Sequence, residues 1–210
     1  MCGLVATIGY PPPAPLKLAI ALAGRRGPHS SGWATLEPGG ERTSPRWTLH
    51  RAAGKLSPSV EEPAPLAVGH SRLATSSKEP GALPSAGEGQ PLLCSSEEWV
   101  LAHNGNSPDP RLTADHLPPS DSRGMLALLV ETGDPLCLMY RRDWFSNAPQ
   151  AALFAHPERG LYAWRLDGLH RPAHPLYATT FEKGLIVSSS PIDRGRPTLL
   201  PVGLTHLGGP

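Results

Sequence analysis

Cys2 is the residue of this sequence whose type and position could do the most chemistry. Once the initiator methionine is removed, a cysteine at position 2 carries a thiol and a free α-amine on one residue. The α-amine has an ordinary pKa of about 7.7–8.0, so near neutral pH it can accept the thiol proton and leave a nucleophilic thiolate. The alternative is a small apolar residue that opens a buried strand, which is the usual role of a free cysteine. The nucleophile interpretation therefore needs a substrate site elsewhere in the chain.

Two arginines in unusual local sequences could belong to such a site. Arg72 comes near the end of a predicted buried strand, where an unmatched charge is costly. A substrate carboxylate could match this guanidinium through a bidentate ion pair, and an internal salt bridge is the alternative. Arg26 begins the turn Arg26-Gly27-Pro28, which by itself indicates only a surface turn.

Asn104 and Gly105 follow a predicted strand and form a strong turn signal. The functional interpretation is that the Asn104 side-chain amide and the Gly105 backbone N–H point at one spot. Two such donors would form an oxyanion hole for acyl transfer, whereas the alternative is an ordinary hairpin turn.

Asp121 lies in Ser120-Asp121-Ser122, just before a predicted helix. Ser120 or Asp121 is a plausible N-cap for that helix, and the functional alternative is a carboxylate that receives a substrate ammonium group. With Cys2, Arg72 and Asn104, this completes a set of groups for attack on the side-chain amide of a free α-amino acid. Glutamine is the obvious candidate substrate.

Five motifs resemble, in order and at roughly the usual spacing, those of class II glutamine amidotransferase (glutaminase) domains in the N-terminal-nucleophile hydrolase superfamily. They are Met1-Cys2-Gly3-Leu4-Val5, Arg26-Gly27 with Ser31-Gly32, Gly69-His70-Ser71-Arg72-Leu73-Ala74-Thr75, His103-Asn104-Gly105 and Ser120-Asp121-Ser122. The strong part of the resemblance runs from residue 2 to about residue 123. Beyond it the chain resembles the family's later strands more loosely, and the motif wording leans toward short stand-alone members.

The resemblance implies an α+β fold, a four-layer αββα sandwich with Cys2 at the end of a central strand. It implies that Cys2 attacks the glutamine amide while its own amine moves the proton, and that Asn104 and Gly105 stabilise the oxyanion. It further implies that Arg72 binds the α-carboxylate and Asp121 the α-amino group. Arg26 and Thr75 complete the substrate-binding residues that the resemblance implies.

The hydrophobic pattern predicts strands before and after a helical block, which is typical of an α+β layered domain. Predicted strands are Cys2–Gly9, Gly32–Leu36, Trp47–Arg51, Leu66–Thr75, Trp99–His103, Ala151–Ala155, Gly160–Leu166, Tyr177–Phe181 and Leu185–Ser189. Predicted helices are Leu16–Ala23, Met125–Val130 and Pro135–Trp144. A Gly/Pro/Ser-rich loop is predicted over Ser76–Gln90, and a loop of this length in a compact domain is commonly functional.

Composition narrows the possible classes of protein. The 210 residues carry a formal net charge of +1, with 39% hydrophobic and 18% charged residues, which argues against a nucleic-acid-binding surface. The three cysteines form no CxxC pair, so neither a disulfide framework nor a cysteine-based metal site is expected. We expect no signal peptide, no membrane span, no cofactor and a reduced, cytoplasmic setting.

We expect residues 1–210 to form a single glutaminase-type domain, without an added acceptor domain. The first hypothesis is a glutamine-hydrolysing subunit that passes ammonia to a separate synthetase or transferase. A hydrolase of another γ-glutamyl amide, with no acceptor partner, fits the same residues. A catalytically inactive binding module of this fold is the alternative from another class.

Overall fold

The computed structural model describes residues 2–40, 44–57, 64–73, 89–96, 98–107, 109–113, 120–145 and 147–209. Thr75 lies outside the described residues, as does the predicted loop Ser76–Gln90 apart from its last two residues. Within the part of the chain that is described, no helix combines the length and the apolar character needed to cross a membrane.

Two antiparallel sheets form the centre of the molecule. The first has the strand order β11-β9-β10-β1-β4-β2-β3, and the second has the order β12-β8-β7-β6-β5. The strands of the first sheet are β1 (Gly3–Gly9), β2 (Ser30–Glu37), β3 (Arg46–Ala53), β4 (Leu66–Arg72), β9 (Tyr177–Phe181), β10 (Gly184–Ser188) and β11 (Thr198–Leu199). Those of the second are β5 (Leu92–Leu93), β6 (Val100–Asn104), β7 (Gln150–His156), β8 (Gly160–Leu166) and β12 (Gly203–Gly208). Strand β1 is therefore the central strand of the seven-stranded sheet.

Helices cover the outer face of each sheet. Helix α1 (Pro13–Arg26) packs against β1, β4 and β10 of the first sheet. Helix α3 (Asp121–Thr132) packs against β5 and β6 of the second, together with the short helices α2 (Pro110–Thr113) and α4 (Cys137–Tyr140). The result is the predicted four-layer αββα sandwich.

Three hydrophobic clusters hold the layers together. The cluster between the sheets joins Leu4, Ala6 and Val68 from one sheet to Val100 and Leu153 from the other. A second cluster lies between the five-stranded sheet and its helices, and a third lies under α1. Burial of apolar surface, at about 25 cal/mol per Å², makes these interfaces the main stabilising contribution.

Close packing of α1 on β1 depends on Gly3. A Cβ atom at this position would lie 2.2 Å from the carbonyl oxygen of Ala23, far inside van der Waals contact. Because Gly3 has no side chain, the C-terminal turn of α1 can rest directly on the first residue of β1. That turn ends at Arg26, so the contact also sets where this arginine lies relative to Cys2.

The predicted strands and helices agree with the structure in type, and several differ in length. The first strand begins at Gly3 rather than Cys2, and the fourth ends at Arg72 rather than Thr75. Helix α1 begins earlier than predicted because Pro13 occupies its first turn, where the missing N–H costs nothing. The predicted helix Pro135–Trp144 is a short α-helix followed by a 3₁₀ turn, Arg142–Trp144.

Candidate active site

Cys2 lies immediately before β1, half-buried, at the end of the central strand. Its backbone nitrogen donates to Oδ1 of Asn104 at 3.4 Å, and its carbonyl oxygen accepts from Nδ2 of the same side chain at 3.3 Å. One amide group from the second sheet therefore holds both main-chain polar groups of Cys2. The contact fixes the direction in which the Cys2 side chain leaves the backbone.

Arg26 provides a third contact to Cys2 from the last turn of α1. Its Nε donates to the Cys2 carbonyl oxygen at 3.1 Å. Burial lowers the pKa of Arg26 from its ordinary value, and the neighbouring Cys2 and Tyr177 act in the opposite direction. Gly27 allows this approach, because a Cβ there would lie 2.1 Å from the Ser71 carbonyl oxygen.

Arg72 is the last residue of β4, the strand next to β1. The register pairs Gly3 with Ser71, and continuing it by one residue places Arg72 beside Cys2 on the neighbouring strand. Its backbone is held from the other side, since the Arg72 carbonyl oxygen accepts from the backbone N–H of His29 at 3.1 Å. Half-buried Arg72 therefore lies next to Cys2 in the first sheet.

Asn104 and Gly105 stand where β6 of the second sheet ends. Asn104 is 5% exposed and faces the first sheet, as its bonds to Cys2 require. A Cβ on Gly105 would lie 1.7 Å from Oε1 of Gln150 and 2.7 Å from Nε2 of His103. The backbone of Gly105 is therefore packed directly onto a polar contact between two buried side chains.

Asp121 is the first residue of α3, and its side chain is 15% exposed. The N-cap position is Ser120, whose side chain makes no capping bond. Oδ2 of Asp121 accepts from the backbone N–H of Ser107 at 2.7 Å, and Oδ1 accepts from the backbone N–H of Ser122 at 2.8 Å. Oδ1 also lies 4.0 Å from Nδ1 of His103. Asp121 is therefore close to the residue that precedes Asn104 in the chain.

The structure thus brings Cys2, Arg26 and Asn104 into direct contact. The strand register places Arg72 next to Cys2. Gly105 and Asp121 both lie close to the side chain of His103, which precedes Asn104. Thr75 lies outside the described residues, and its substrate-binding role stays a prediction. Among the residues that are described, no three His, Cys, Asp or Glu side chains group as metal ligands.

Two histidines near the site, the buried His70 and the half-buried His174, were not singled out by sequence reasoning. The pKa of His174 is lowered to about 4, mainly by burial and to a smaller extent by Arg26 and His103. Burial also lowers the pKa of His70 to about 3, with smaller contributions from His103 and Arg72. Both imidazoles are therefore neutral at neutral pH.

Gln150 carries no sequence signal either, although it is fully buried and hydrogen-bonded to His103 at 2.8 Å. Its partner lies 47 residues away in the chain, on the neighbouring strand. A neutral glutamine at the start of a strand has no local pattern that reveals such a contact. Only the pairing of β6 with β7 brings it under Gly105.

Several solved structures are similar in fold to this chain. A glutamine aminotransferase class-II domain protein from Silicibacter pomeroyi matches with a TM-score of 0.56 over 97% of this chain and 93% of that chain, at 17% identity. The chain has the class II glutamine amidotransferase fold. The expected α+β fold, a four-layer αββα sandwich, is thereby confirmed, and at this identity the likeness concerns the fold alone.

Two longer proteins contain the same amidotransferase fold as a part. Glutamine phosphoribosylpyrophosphate amidotransferase from B. subtilis, complexed with ADP and GMP, matches with a TM-score of 0.59 at 20% identity. The structure of an allosteric regulatory enzyme of purine biosynthesis matches with a TM-score of 0.60 at 22% identity. Each match covers 90% of this chain, and the chain spans 42% of the length of each of these proteins. No protein-family model and no curated protein matches the sequence.

Proposed function

We propose that this chain hydrolyses the side-chain amide of glutamine with Cys2 as nucleophile. The observation that carries the proposal is the contact between Asn104 and Cys2. This side-chain amide is bonded to both main-chain groups of the residue that carries the thiol, which supports a role for it next to the reacting carbon, where an oxyanion would form. Its second Nδ2 hydrogen is then available to a tetrahedral intermediate, as an oxyanion hole requires.

The proposed reaction begins when Met1 has been removed and the Cys2 nitrogen is a free amine. The amine takes the thiol proton, and the sulfur attacks the glutamine Cδ to form a tetrahedral oxyanion. The C–N bond then breaks, the amine returns its proton to the leaving nitrogen, and ammonia departs. Water attacks the γ-glutamyl thioester with the amine as base, which releases glutamate and restores the thiol.

In this proposal, one positive and one negative side chain near Cys2 bind the α-carboxylate and the α-ammonium group of the substrate. Arg72 forms a bidentate pair with the α-carboxylate of glutamine, and Asp121 accepts from its α-ammonium group. The backbone N–H groups of Ser107 and Ser122 donate to the Asp121 carboxylate and orient it before the substrate binds. Gly105 contributes its backbone N–H to the oxyanion.

We also propose that residues 1–210 act as one glutaminase-type domain that delivers ammonia to a separate synthetase or transferase. A partner is favoured because ammonia released into water at neutral pH is protonated and lost as a nucleophile. A reducing, cytoplasmic setting suits the reaction, since Cys2, Cys94 and Cys137 are all free thiols.

Ammonia and glutamate release from glutamine tests the proposal directly. The wild-type chain is expected to form both in equal amounts, and Cys2→Ala is expected to release neither while keeping the wild-type melting temperature. Cys94→Ala, at a buried cysteine away from Cys2, serves as the matched control and keeps activity. Ammonia release by Cys2→Ala at a near wild-type rate would refute Cys2 as the nucleophile.

Two further measurements define the amine and the substrate. Mass spectrometry of an active preparation is expected to show a chain that begins at Cys2, and an intact Met1 in that preparation contradicts the mechanism. Steady-state kinetics are expected to favour glutamine over bulkier γ-glutamyl amides. A much faster turnover of a bulkier amide would instead assign the chain to amide hydrolysis without ammonia transfer.

A further inference from the structure

Four buried or half-buried polar side chains form a hydrogen-bonded network behind the candidate active site, in which three close a ring and the fourth is bonded to the histidine of that ring. They come from four separate parts of the chain: the segment before β5, strand β6, the first turn of α3 and the first residue of β7. The members, here called the His103 ring, are Gln90, His103, Ser122 and Gln150. None of them is needed for the reaction as proposed above.

The orientation of Gln150 determines the proton on His103. Nε2 of Gln150 donates to the carbonyl oxygens of Phe145 at 2.9 Å and Ala148 at 3.0 Å, so Oε1 must face the imidazole. Because an amide oxygen only accepts, Nε2 of His103 must carry a hydrogen and donate to it at 2.8 Å. In the neutral imidazole, Nδ1 is then an acceptor.

Ser122 and Gln90 complete the pattern without a conflict of donors. Oγ of Ser122 lies 2.9 Å from Nδ1 of His103, and it also accepts from Nε2 of Gln90 at 3.1 Å. With a neutral imidazole the serine hydroxyl hydrogen is directed to Nδ1, the nearer acceptor, because Oδ1 of Asp121 lies 3.4 Å from the same Oγ. Oε1 of Gln90 accepts from the backbone N–H of His103 at 2.6 Å. Gln90 therefore contacts the His103 backbone directly and the His103 imidazole through the Ser122 hydroxyl.

Gln90 is itself fixed by the first sheet. A Cβ on Gly32 of β2 would lie 2.3 Å from the Gln90 carbonyl oxygen, which shows that the segment crosses directly over this glycine. Nη2 of Arg51 on β3 donates to the carbonyl oxygen of Pro91 at 2.8 Å. The ring is thus attached to both sheets rather than to the second sheet alone.

The ring touches the residues that the proposed reaction uses. Asn104 and Gly105 directly follow His103, and the Gly105 backbone rests on the bond between His103 and Gln150. Ser122 directly follows Asp121. The side chains of His103, Ser122 and Gln150 are at most 4% exposed, so solvent cannot replace their hydrogen bonds.

We propose that the His103 ring positions the oxyanion donors Asn104 and Gly105, with His103, Ser122, Gln90 and Gln150 acting as positioning residues. This inference rests on the proposed glutamine hydrolysis. Positioned donors act on charge that develops in the transition state, so loosening the ring lowers kcat. When the ring is loosened, Asp121 keeps its two backbone hydrogen bonds and loses at most a longer contact to the Ser122 hydroxyl, at 3.4 Å, so KM for glutamine is expected to change less than kcat.

The test compares Ser122→Ala, which removes the central hydroxyl, with Ser122→Thr, which keeps one. Gln90→Glu is a second variant at a half-buried position: it keeps the acceptor for the His103 N–H and removes the donor to Ser122. We expect Ser122→Ala and Gln90→Glu to lower kcat about tenfold, as loss of one buried hydrogen bond implies, with KM within about twofold. Ser122→Thr is expected to recover most of kcat. His206→Gln, an exposed histidine on β12, is the control and keeps wild-type kinetics.

Nuclear magnetic resonance gives a readout that does not depend on turnover. In Ser122→Ala, the Gly105 backbone amide and the Asn104 side-chain amide signals are expected to shift and broaden, while the Gly208 amide is unchanged. If the wild-type chain releases no ammonia from glutamine, the proposed function fails, and these signals alone decide the positioning role. Unchanged Asn104 and Gly105 signals overturn it. If the enzyme is active, two kinetic results also overturn the positioning role. One is a kcat within twofold of wild type in both Ser122→Ala and Gln90→Glu, and the other is a change confined to a raised KM or a lowered melting temperature.

Discussion

Asn104 contacts Cys2 with both the oxygen and the nitrogen of its side-chain amide. This double contact restricts the type of side chain at position 104 more than either hydrogen bond alone would. Oδ1 faces the Cys2 nitrogen and Nδ2 faces the Cys2 carbonyl oxygen. A carboxylate at this position would be repelled by the carbonyl oxygen, and an apolar side chain would leave both main-chain groups without their partner. Asparagine is the side chain that satisfies both and retains a hydrogen for the oxyanion.

Removal of this amide is expected to affect the chemical step more than substrate binding. In Asn104→Ala, kcat for glutamine is predicted to fall by about 100- to 1,000-fold, which is the usual cost of one oxyanion donor, while KM changes less than tenfold. Steady-state ammonia release measures both constants. A loss that falls mainly in KM would mean that Asn104 binds the ground state rather than the transition state.

At the residue scale, the sequence was informative where a side chain carries its own chemistry. Cys2, Arg72 and Asp121 could be singled out because a thiol, a guanidinium and a carboxylate each imply a partner. The glutamines of the His103 ring could not, because Gln90 and Gln150 are neutral and their partners lie 13 and 47 residues away. Such contacts arise only when β6, β7 and α3 are brought together.

At the scale of elements, the contact between α1 and β1 links stability to the site. The helix can approach the strand only because Gly3 lacks a Cβ, and the same helix ends in the arginine that holds the Cys2 carbonyl oxygen. Any group added at Gly3 pushes the end of α1 outward. The helix position and the Arg26 contact must then change together.

Gly3→Ala is therefore predicted to cost about 1–3 kcal/mol of unfolding free energy, as overpacking of a close contact usually does, and to lower glutamine turnover. Urea denaturation measures the first effect and ammonia release the second. Gly209→Ala is the matched control, because a Cβ there meets nothing within 4 Å, and both quantities are expected to stay at wild-type values. Wild-type stability in Gly3→Ala would show that α1 can shift at no cost.

The elements that sequence reasoning missed are the edges and the shortest pieces. Strands β5 and β11 have two residues each, and both residues of β11 are exposed, so neither shows a hydrophobic period. Strand β12 is the edge of its sheet, and its residues Gly203–Gly208 begin and end in glycine and include an exposed histidine. The central strands were predictable because their burial produces long apolar runs, whereas an edge strand is defined by the neighbour it pairs with.

At the scale of the whole molecule, His70 makes the fold sensitive to acid. The residue lies on β4 and is 1% exposed, and neither ring nitrogen has a hydrogen-bond partner among the described residues, although the His103 backbone is near. Burial lowers the pKa of His70 in the folded chain to about 3, compared with about 6.5 in an unfolded chain. Below pH 6.5 the unfolded state therefore binds a proton that the folded state cannot accept.

The stability that neutral His70 contributes to the folded state is fully present above pH 6.5, and it is lost progressively as the pH falls from 6.5 toward 3. Between pH 7 and pH 5, wild type is predicted to lose about 2 kcal/mol more unfolding free energy than His70→Leu, as linkage requires for one such histidine. Urea denaturation at the two pH values measures the difference, and the contribution of His174 cancels because both chains contain it. Equal losses in the two chains would indicate that the folded state accepts the proton.

The central place of β1 in the seven-stranded sheet also bears on how the candidate site assembles during folding. Strand β1 pairs with β10, whose residues 184–188 lie far from Cys2 along the chain. The Cys2 main chain gains its contacts to Arg26 and Asn104 from segments that are non-local or belong to the other sheet. Because such pairings between distant segments form slowly, we expect the candidate site to be completed only when the sheets themselves have formed.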